Sequence, residues 1–232
     1  MAHPSDCLRT PEIVCQPDPR SPSEDIFSKE PLTVAYQYNA ISKFDLHEGV
    51  PEDIRVQFET TRNLYLYAWY VYRFYPVVRL HAYTCLELAL RERFGSELVA
   101  ARKWASEYIP SLRQLLFYAI DQGVIKNENF SVWRHRAEQR AKIRNEEELW
   151  EEAKSKGLSE ITFDENEFEI KDEDCDHDYL GIILETTPSL RNHYAHGSKS
   201  LDNQAIGTIR LVTEIINQIF PLKMNSSDSG KK

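Results

Sequence analysis

Apolar residues recur at steps of three and four through most of the chain between residues 52 and 221. One buried face of an α-helix produces this spacing. The last such stretch, residues 203–220, has its apolar positions at Ile206, Ile209, Val212, Ile215, Ile216 and Ile219. The pattern predicts an all-α fold, a helical bundle in which each helix buries one stripe of side chains.

Breaks in the pattern predict where these helices end. Pro76 should kink or end the first long helix, and the next stretch should run as far as Gly95. A shorter helix is expected within 111–123, and a long polar helix across 131–156. Residues 33–39 are interpreted as a short strand or an extended packed segment.

One stretch departs from the helical period and predicts a small β-hairpin insertion at about 158–172. Apolar residues there alternate on either side of a polar turn. The insertion is also acidic, because residues 160–178 hold ten Asp or Glu and one Lys. A solvated loop is one interpretation. The other is a tethered anion that competes with an anionic ligand for basic side chains.

The remaining segments bound the domain. Residues 1–30 are rich in proline, serine and charge and show no period, which predicts a disordered arm. Residues 31–223 then form a single helical domain, and residues 224–232 a disordered tail.

Composition narrows the functional classes. The formal net charge of −9 argues against a broadly basic nucleic-acid coat, although a small basic site remains compatible with it. No glycine-rich phosphate loop occurs among the eight glycines. The four cysteines form no C-x-x-C pair, and no segment is apolar enough for a signal peptide or a membrane span. We therefore expect a cytoplasmic protein with reduced thiols and no membrane partner.

The segment from Arg191 to Gly197 concentrates polar chemistry in seven residues. Thr187 and Pro188 are expected to start a two-turn helix as N-cap and first residue, and Gly197 to stop it. On an ideal helix Arg191 and His196 would point about 140° apart. These two side chains could serve one ligand only if the helix loosens or a second copy of the chain contributes.

Three interpretations of this segment remain open from the residues alone. Its side chains could be structural, pairing and capping neighbouring helices. A metal site could join His193 and His196 to Cys175 and His177, although their spacing is not that of usual zinc sites. The third is metal-free RNA cleavage, in which a histidine moves a proton and an arginine neutralises charge on the phosphate.

The stretch "LRNHYAHG" resembles the signature of the HEPN superfamily, an arginine followed after four to six residues by a histidine. The matching residues here are Arg191, Asn192 and His196. Upstream, "CLELALRERFG" is similar to a helix common in these proteins, and "EIINQIF" is similar to their last helix. The resemblance spans roughly residues 52–221, apart from the hairpin insertion.

This resemblance implies a HEPN-like helical bundle that dimerises through its motif helices, so that two Arg/His pairs form one cleft. It implies a metal-independent endoribonuclease without cofactors, with Arg191, Asn192 and His196 as catalytic residues and 2′,3′-cyclic phosphate as product. Many HEPN proteins are toxins or phage-defence effectors, some controlled by an antitoxin or another regulatory protein. The alternative is a non-catalytic HEPN module that binds a partner protein or a nucleotide.

Further basic residues could bind the RNA backbone outside the catalytic group. On the long polar helix, arginines are concentrated towards the N-terminal half and glutamates follow them. A solvated helix with intrahelical ion pairs is one interpretation, and a face that follows phosphates is the other. The candidate RNA-binding residues are Arg134, Arg136, Arg140, His193 and Lys199.

Overall fold

The structure is a computed structural model that describes residues 3–25, 27–101, 108–158, 160, 168–197 and 199–222. Within these ranges the protein is all-α, as predicted, and no strand is formed. None of the described helices is long and apolar enough to cross a membrane. The seven helices of the described residues are α1 Val34–Ile41, α2 Glu52–Tyr67, α3 Phe74–Ala101, α4 Leu112–Asp121, α5 Ser131–Ser155, α6 Tyr179–Ala195 and α7 Ala205–Ile219.

Within the predicted single domain, the described residues form two compact units, and α6 begins in one and ends in the other. The first unit comprises the residues up to Val124 and those from Leu184 onward. At its centre α3 packs against α2, α4 and α7. Side chains of all four helices are removed from water, and this burial of apolar surface stabilises the unit. Its fully buried side chains include Phe58, Leu86, Leu90, Leu115 and Ile216.

Three features of this unit differ from the prediction. Residues 34–41 form α1, with the Thr33 hydroxyl capping its first turn, rather than a strand or extended segment. The chain leaves α2 at Tyr67, and Pro76 lies in the first turn of α3, where a missing backbone N–H is tolerated. Gly95 does not stop α3 but is buried inside it.

The predicted arm, residues 1–30, makes specific contacts in its described part. Asp18 is 1% exposed, and its carboxylate accepts hydrogen bonds from the Arg20 guanidinium and the Tyr72 backbone N–H. The Asp18 N–H in turn donates to the Trp69 carbonyl. A buried carboxylate needs such partners, so this stretch is tied to the connection between α2 and α3. The disorder expected for the rest of the segment stays a prediction.

The second unit, Ile125–Ile183, is built on α5. The Phe130 ring is fully buried and meets the Tyr179 ring edge-on at 5.1 Å, which closes the unit at the start of α5. The predicted hairpin lies largely outside the described residues, and within 168–171 the chain has no regular structure. The predicted tail, 224–232, also lies outside them.

Candidate functional site

Arg191 and Asn192 lie on the last turns of α6, which runs without interruption from Tyr179 to Ala195, and His196 directly follows the helix. The prediction that Thr187 and Pro188 begin a new helix is wrong, because Pro188 lies inside α6. Proline removes only one helical N–H donor, and the adjacent Thr187 side chain, with no exposed surface, holds this turn against the interior. Burial of this turn thus outweighs the helix-start pattern of Thr187 and Pro188.

The end of α6 is anchored by Tyr194, which lies between the motif arginine and the motif histidine. Its ring is buried, its hydroxyl accepts a hydrogen bond from Nη1 of Arg79 on α3, and the Arg79 guanidinium stacks over the ring at 5.4 Å. Arg79 also pairs with Asp202 at 3.1 Å. These contacts fix the rotation of the helix end, and with it the directions of the motif side chains.

The helix stops where the sequence predicts. The His196 N–H donates to the Asn192 carbonyl at 3.0 Å, and Gly197 adopts a φ of 85°, a left-handed conformation that favours glycine. The His196 imidazole is exposed, and no described residue hydrogen-bonds to it. It is therefore accessible to a substrate or to a second protein molecule.

Arg191 is held by the carboxylate of Glu87, which lies on α3 one helical turn before Arg91. The structure joins Glu87 to both arginines, with Oε1 on Arg91 at 2.8 Å and Oε2 on Arg191 at 3.0 Å. The Arg191 Nη1 group also donates to the Asn192 side-chain oxygen at 3.3 Å. One carboxylate thus serves two guanidinium groups, and the buried Arg191 Nε has no hydrogen-bond partner.

Arg191 and Asn192 line a cleft of about 370 Å³ between α3, α4 and α6. We call it the motif cleft. Its other lining residues are Glu87, Ser111, Leu112, Arg113, Glu185, Pro188 and Ser189. Arg113 was not among the predicted site residues, although its sequence context offers a signal. No acidic residue stands three or four positions from it, so no intrahelical ion pair can neutralise it.

The cleft unites only part of the predicted catalytic group. Arg191 and Asn192 line it, whereas His196 does not. Its guanidinium groups could hold a phosphate by charge-assisted hydrogen bonds. No histidine lines it, so within one molecule the cleft offers no imidazole for proton transfer.

The predicted RNA-binding arginines of α5 belong to the second unit, where the chain's own atoms bind all three of them. The Arg136 guanidinium donates to the His177 ring at 3.2 Å, and Arg140 donates to the Asp176 carbonyl at 2.9 Å. Arg134 donates to the Glu128 carbonyl at 3.0 Å. Among the three, only Arg140 is half-buried, and the other two are exposed.

Arg144, one turn further along α5, is the most heavily paired of these arginines. It makes two hydrogen bonds to the buried Asp174 carboxylate, at 2.8 and 3.2 Å, and an ion pair with Glu148. The hydrogen bond from Arg144 holds the pKa of Asp174 below its usual range. The acidic stretch 168–178, which we call the acidic segment, thereby supplies partners to the basic helix.

The other candidate residues are exposed. His193 lies on the solvent side of α6 with its ring against that of Tyr194 at 5.3 Å, and Lys199 follows the helix in an exposed connection. Within the described ranges, no group of three or more His, Cys, Asp or Glu side chains is arranged to hold a metal ion.

Comparison of the chain with protein-family models, with curated proteins and with solved structures gave no match. A function is therefore inferred from the geometry of the motif cleft and from the resemblance of the Arg191–His196 stretch to the HEPN signature.

Proposed function

We propose that this protein is a metal-independent endoribonuclease of the HEPN type that cleaves RNA as a homodimer. The supporting observation is the arrangement of the motif. Arg191 is oriented by Glu87 into a cleft, Asn192 lines the same cleft, and His196 is exposed at the end of the same helix.

The chemistry needs one proton-transfer group and one cation. His196 takes the proton of the ribose 2′-hydroxyl, whose oxygen forms a bond to phosphorus as the bond to the 5′-oxygen breaks. The leaving 5′-oxygen gains a proton, and the products are a 2′,3′-cyclic phosphate and a 5′-hydroxyl. Arg191 stabilises the negative charge that builds up on the phosphate oxygens. Asn192 orients the phosphate or the histidine by hydrogen bonding.

The dimer follows from the separation of these groups within one molecule. Among the described residues, the motif cleft is lined by Arg191 and Arg113 but by no histidine. A two-fold axis beside the end of α6 would bring His196 of a second copy to the Arg191 cleft of the first, because the same surface patch meets itself in a C2 interface. The interface would include residues 188–197.

A biological role follows from the resemblance alone. We propose a toxin or phage-defence effector that acts in the cytoplasm and is controlled by an antitoxin or another regulatory protein. The acidic segment is a second means of control in this proposal, because its contacts occupy arginines of α5.

The test is cleavage of single-stranded RNA by the purified protein, with EDTA present throughout. We expect products with 2′,3′-cyclic phosphate ends and a dimer by light scattering at micromolar concentration. A monomer, or activity that appears only with added Mg²⁺ or Mn²⁺, would refute the proposal. RNA binding by a dimer that never cleaves would favour the non-catalytic module instead.

A further inference from the structure

The motif cleft contains a second arginine, Arg113, that the HEPN resemblance does not assign. It lies in the first turn of α4, and its side chain is exposed. The structure gives it no ion pair, hydrogen bond or ring contact with any other residue that it describes. Arg113 and Arg191 therefore line one cleft from two different helices.

The charges around the cleft leave room for an anion. Glu87 already binds Arg191 and Arg91, and Glu185 is the second carboxylate at the cleft. The lining itself holds two guanidinium groups and two carboxylates, and Arg91, which is outside the lining, adds a third positive charge next to Glu87. A phosphate in the cleft would bind the exposed Arg113, which makes no ion pair or hydrogen bond with a described residue.

The position of Arg113 on its helix supports a role outside folding. The first turn of a helix carries the positive end of its dipole, so a cation there is disfavoured and an acidic residue is preferred. Ser111 and Gln114 already cap this end of α4 reciprocally. Arg113 thus contributes no cap, and it forms no ion pair with a residue in the described part of the chain. Residues that break a local rule without structural compensation are expected at functional sites.

The size and lining of the cleft fit one unit of an RNA backbone. A volume of about 370 Å³ is at the lower end of the range for small-molecule pockets, which begins at roughly 300 Å³. The Ser111 and Ser189 side chains and the Asn192 amide add polar groups to the lining.

We infer that Arg113 is a phosphate-binding residue, and that on the α4 side of the motif cleft it binds the RNA phosphodiester next to the one that is cleaved at Arg191. The inference rests on the proposed ribonuclease function, because RNA is the source of that phosphate. Arg113 positions the strand by its backbone and does not select its sequence.

The experiment measures binding without cleavage. The full-length protein is titrated with a fluorescent 2′-O-methyl oligoribonucleotide, whose blocked 2′-oxygen cannot attack, at salt concentrations from about 50 to about 300 mM. Arg113→Gln should weaken binding about tenfold. It should also reduce the slope of log affinity against log salt by about 0.7 for each cleft that the strand contacts.

Arg93→Gln is the matched control, since Arg93 is an α3 surface arginine paired with Glu97 and does not line the cleft. It should leave affinity and slope unchanged. Arg113→Lys should keep the wild-type slope of log affinity against log salt, because it keeps the positive charge. Its RNA affinity should lie between those of wild type and Arg113→Gln. Circular dichroism should show that all three variants are folded.

The outcomes separate this inference from the proposed function. If Arg113→Gln binds like wild type, or if wild type does not bind the oligonucleotide, the inference is overturned even where unmodified RNA is cleaved. If unmodified RNA stays intact while Arg113→Gln still weakens binding, the nuclease proposal fails and the phosphate site stands. Inorganic phosphate that raises the melting temperature of wild type but not of Arg113→Gln, without any effect on RNA binding, would identify a free-phosphate site and overturn the RNA subsite.

Discussion

The arginines of the motif cleft and those of α5 are of the same residue type but differ in their partners. On α5, Arg144 is bound to a buried carboxylate and Arg140 to a backbone carbonyl, both supplied by the acidic segment. At the cleft, Arg191 shares a single carboxylate with Arg91, and no described residue pairs with Arg113.

This difference indicates which basic residues are available to an external anion. A guanidinium that already makes hydrogen bonds within the chain would have to break them to bind a phosphate, so its net gain is small. An unpaired guanidinium makes new bonds without losing old ones. The cluster on α5 is the more conspicuous in the sequence, whereas the phosphate-binding surface that we propose is the motif cleft. The RNA-binding role of Arg134, Arg136 and Arg140 stays a prediction.

The largest expected effect comes from the catalytic group itself. Arg191→Ala and His196→Ala should each lower the rate of RNA cleavage by ~10²–10⁴, because they remove charge stabilisation and proton transfer. His193→Ala is the control on the same helix and should have a mild effect. Initial rates on a labelled single-stranded RNA measure all three. An essential His193 with a dispensable His196 would mean that the HEPN alignment is wrong here.

The second effect tests whether the acidic segment masks α5. In wild type, Arg140→Gln should change RNA affinity by less than about twofold, because Arg140 is bound by the chain. After residues 160–176 are replaced by a Gly-Ser linker, affinity should rise about tenfold at low salt, and Arg140→Gln should then reverse much of the gain. Fluorescence anisotropy at two salt concentrations gives the double-mutant cycle. If the effects of the linker replacement and of Arg140→Gln on RNA affinity simply add, the acidic segment does not mask Arg140.

The third effect concerns Glu87, the carboxylate of the cleft that pairs with both Arg91 and Arg191. Glu87→Gln should lower the cleavage rate roughly fivefold, because Arg191 is less firmly oriented. The same change removes a negative charge from the cleft, so RNA affinity should rise rather than fall. Single-turnover rates and binding measured side by side separate the two. A parallel loss of both would mean that Glu87 acts only through folding. Glu97→Gln, outside the cleft, is the matched control.

The smallest expected effect is a pH dependence of the stability of the acidic segment. Burial, followed by the nearby Arg136 and Arg140 charges, holds the pKa of His177 below its usual value, although Asp176 and Asp178 oppose this shift. A histidine with a depressed pKa stabilises the folded segment above its unfolded pKa of about 6.5, and this contribution is lost as the pH falls below that value.

Amide exchange in residues 172–178, corrected for the intrinsic effect of pH, should therefore accelerate between about pH 7.5 and 5.5. His177→Gln should remove most of this dependence, because its amide oxygen accepts from Arg136 at either pH. An identical pH dependence in wild type and His177→Gln would exclude His177 as its origin.

Several elements could be predicted from sequence because their signals are local. The spacing of the isoleucines places α7 within a few residues of its observed ends. The helix predicted within 111–123 is likewise close to the observed α4, Leu112–Asp121. Gly197 stops α6 because a left-handed residue ends a helix wherever it occurs. The Arg-x4-His spacing can also be recognised in the sequence, although the activity that it implies remains a proposal.

What only the tertiary structure decided depends on residues distant in sequence. Thr187 and Pro188 resemble the start of a helix, yet α6 continues through Pro188, next to the fully buried Thr187. Gly95 looks like a stop, yet it is an interior position of α3. The pairing of Arg191 with Glu87 joins residues 104 positions apart, which no local pattern encodes. Periodicity and turn residues specify which segments become helices, whereas burial and long-range ion pairing determine where those helices end and which arginines remain free to bind a ligand.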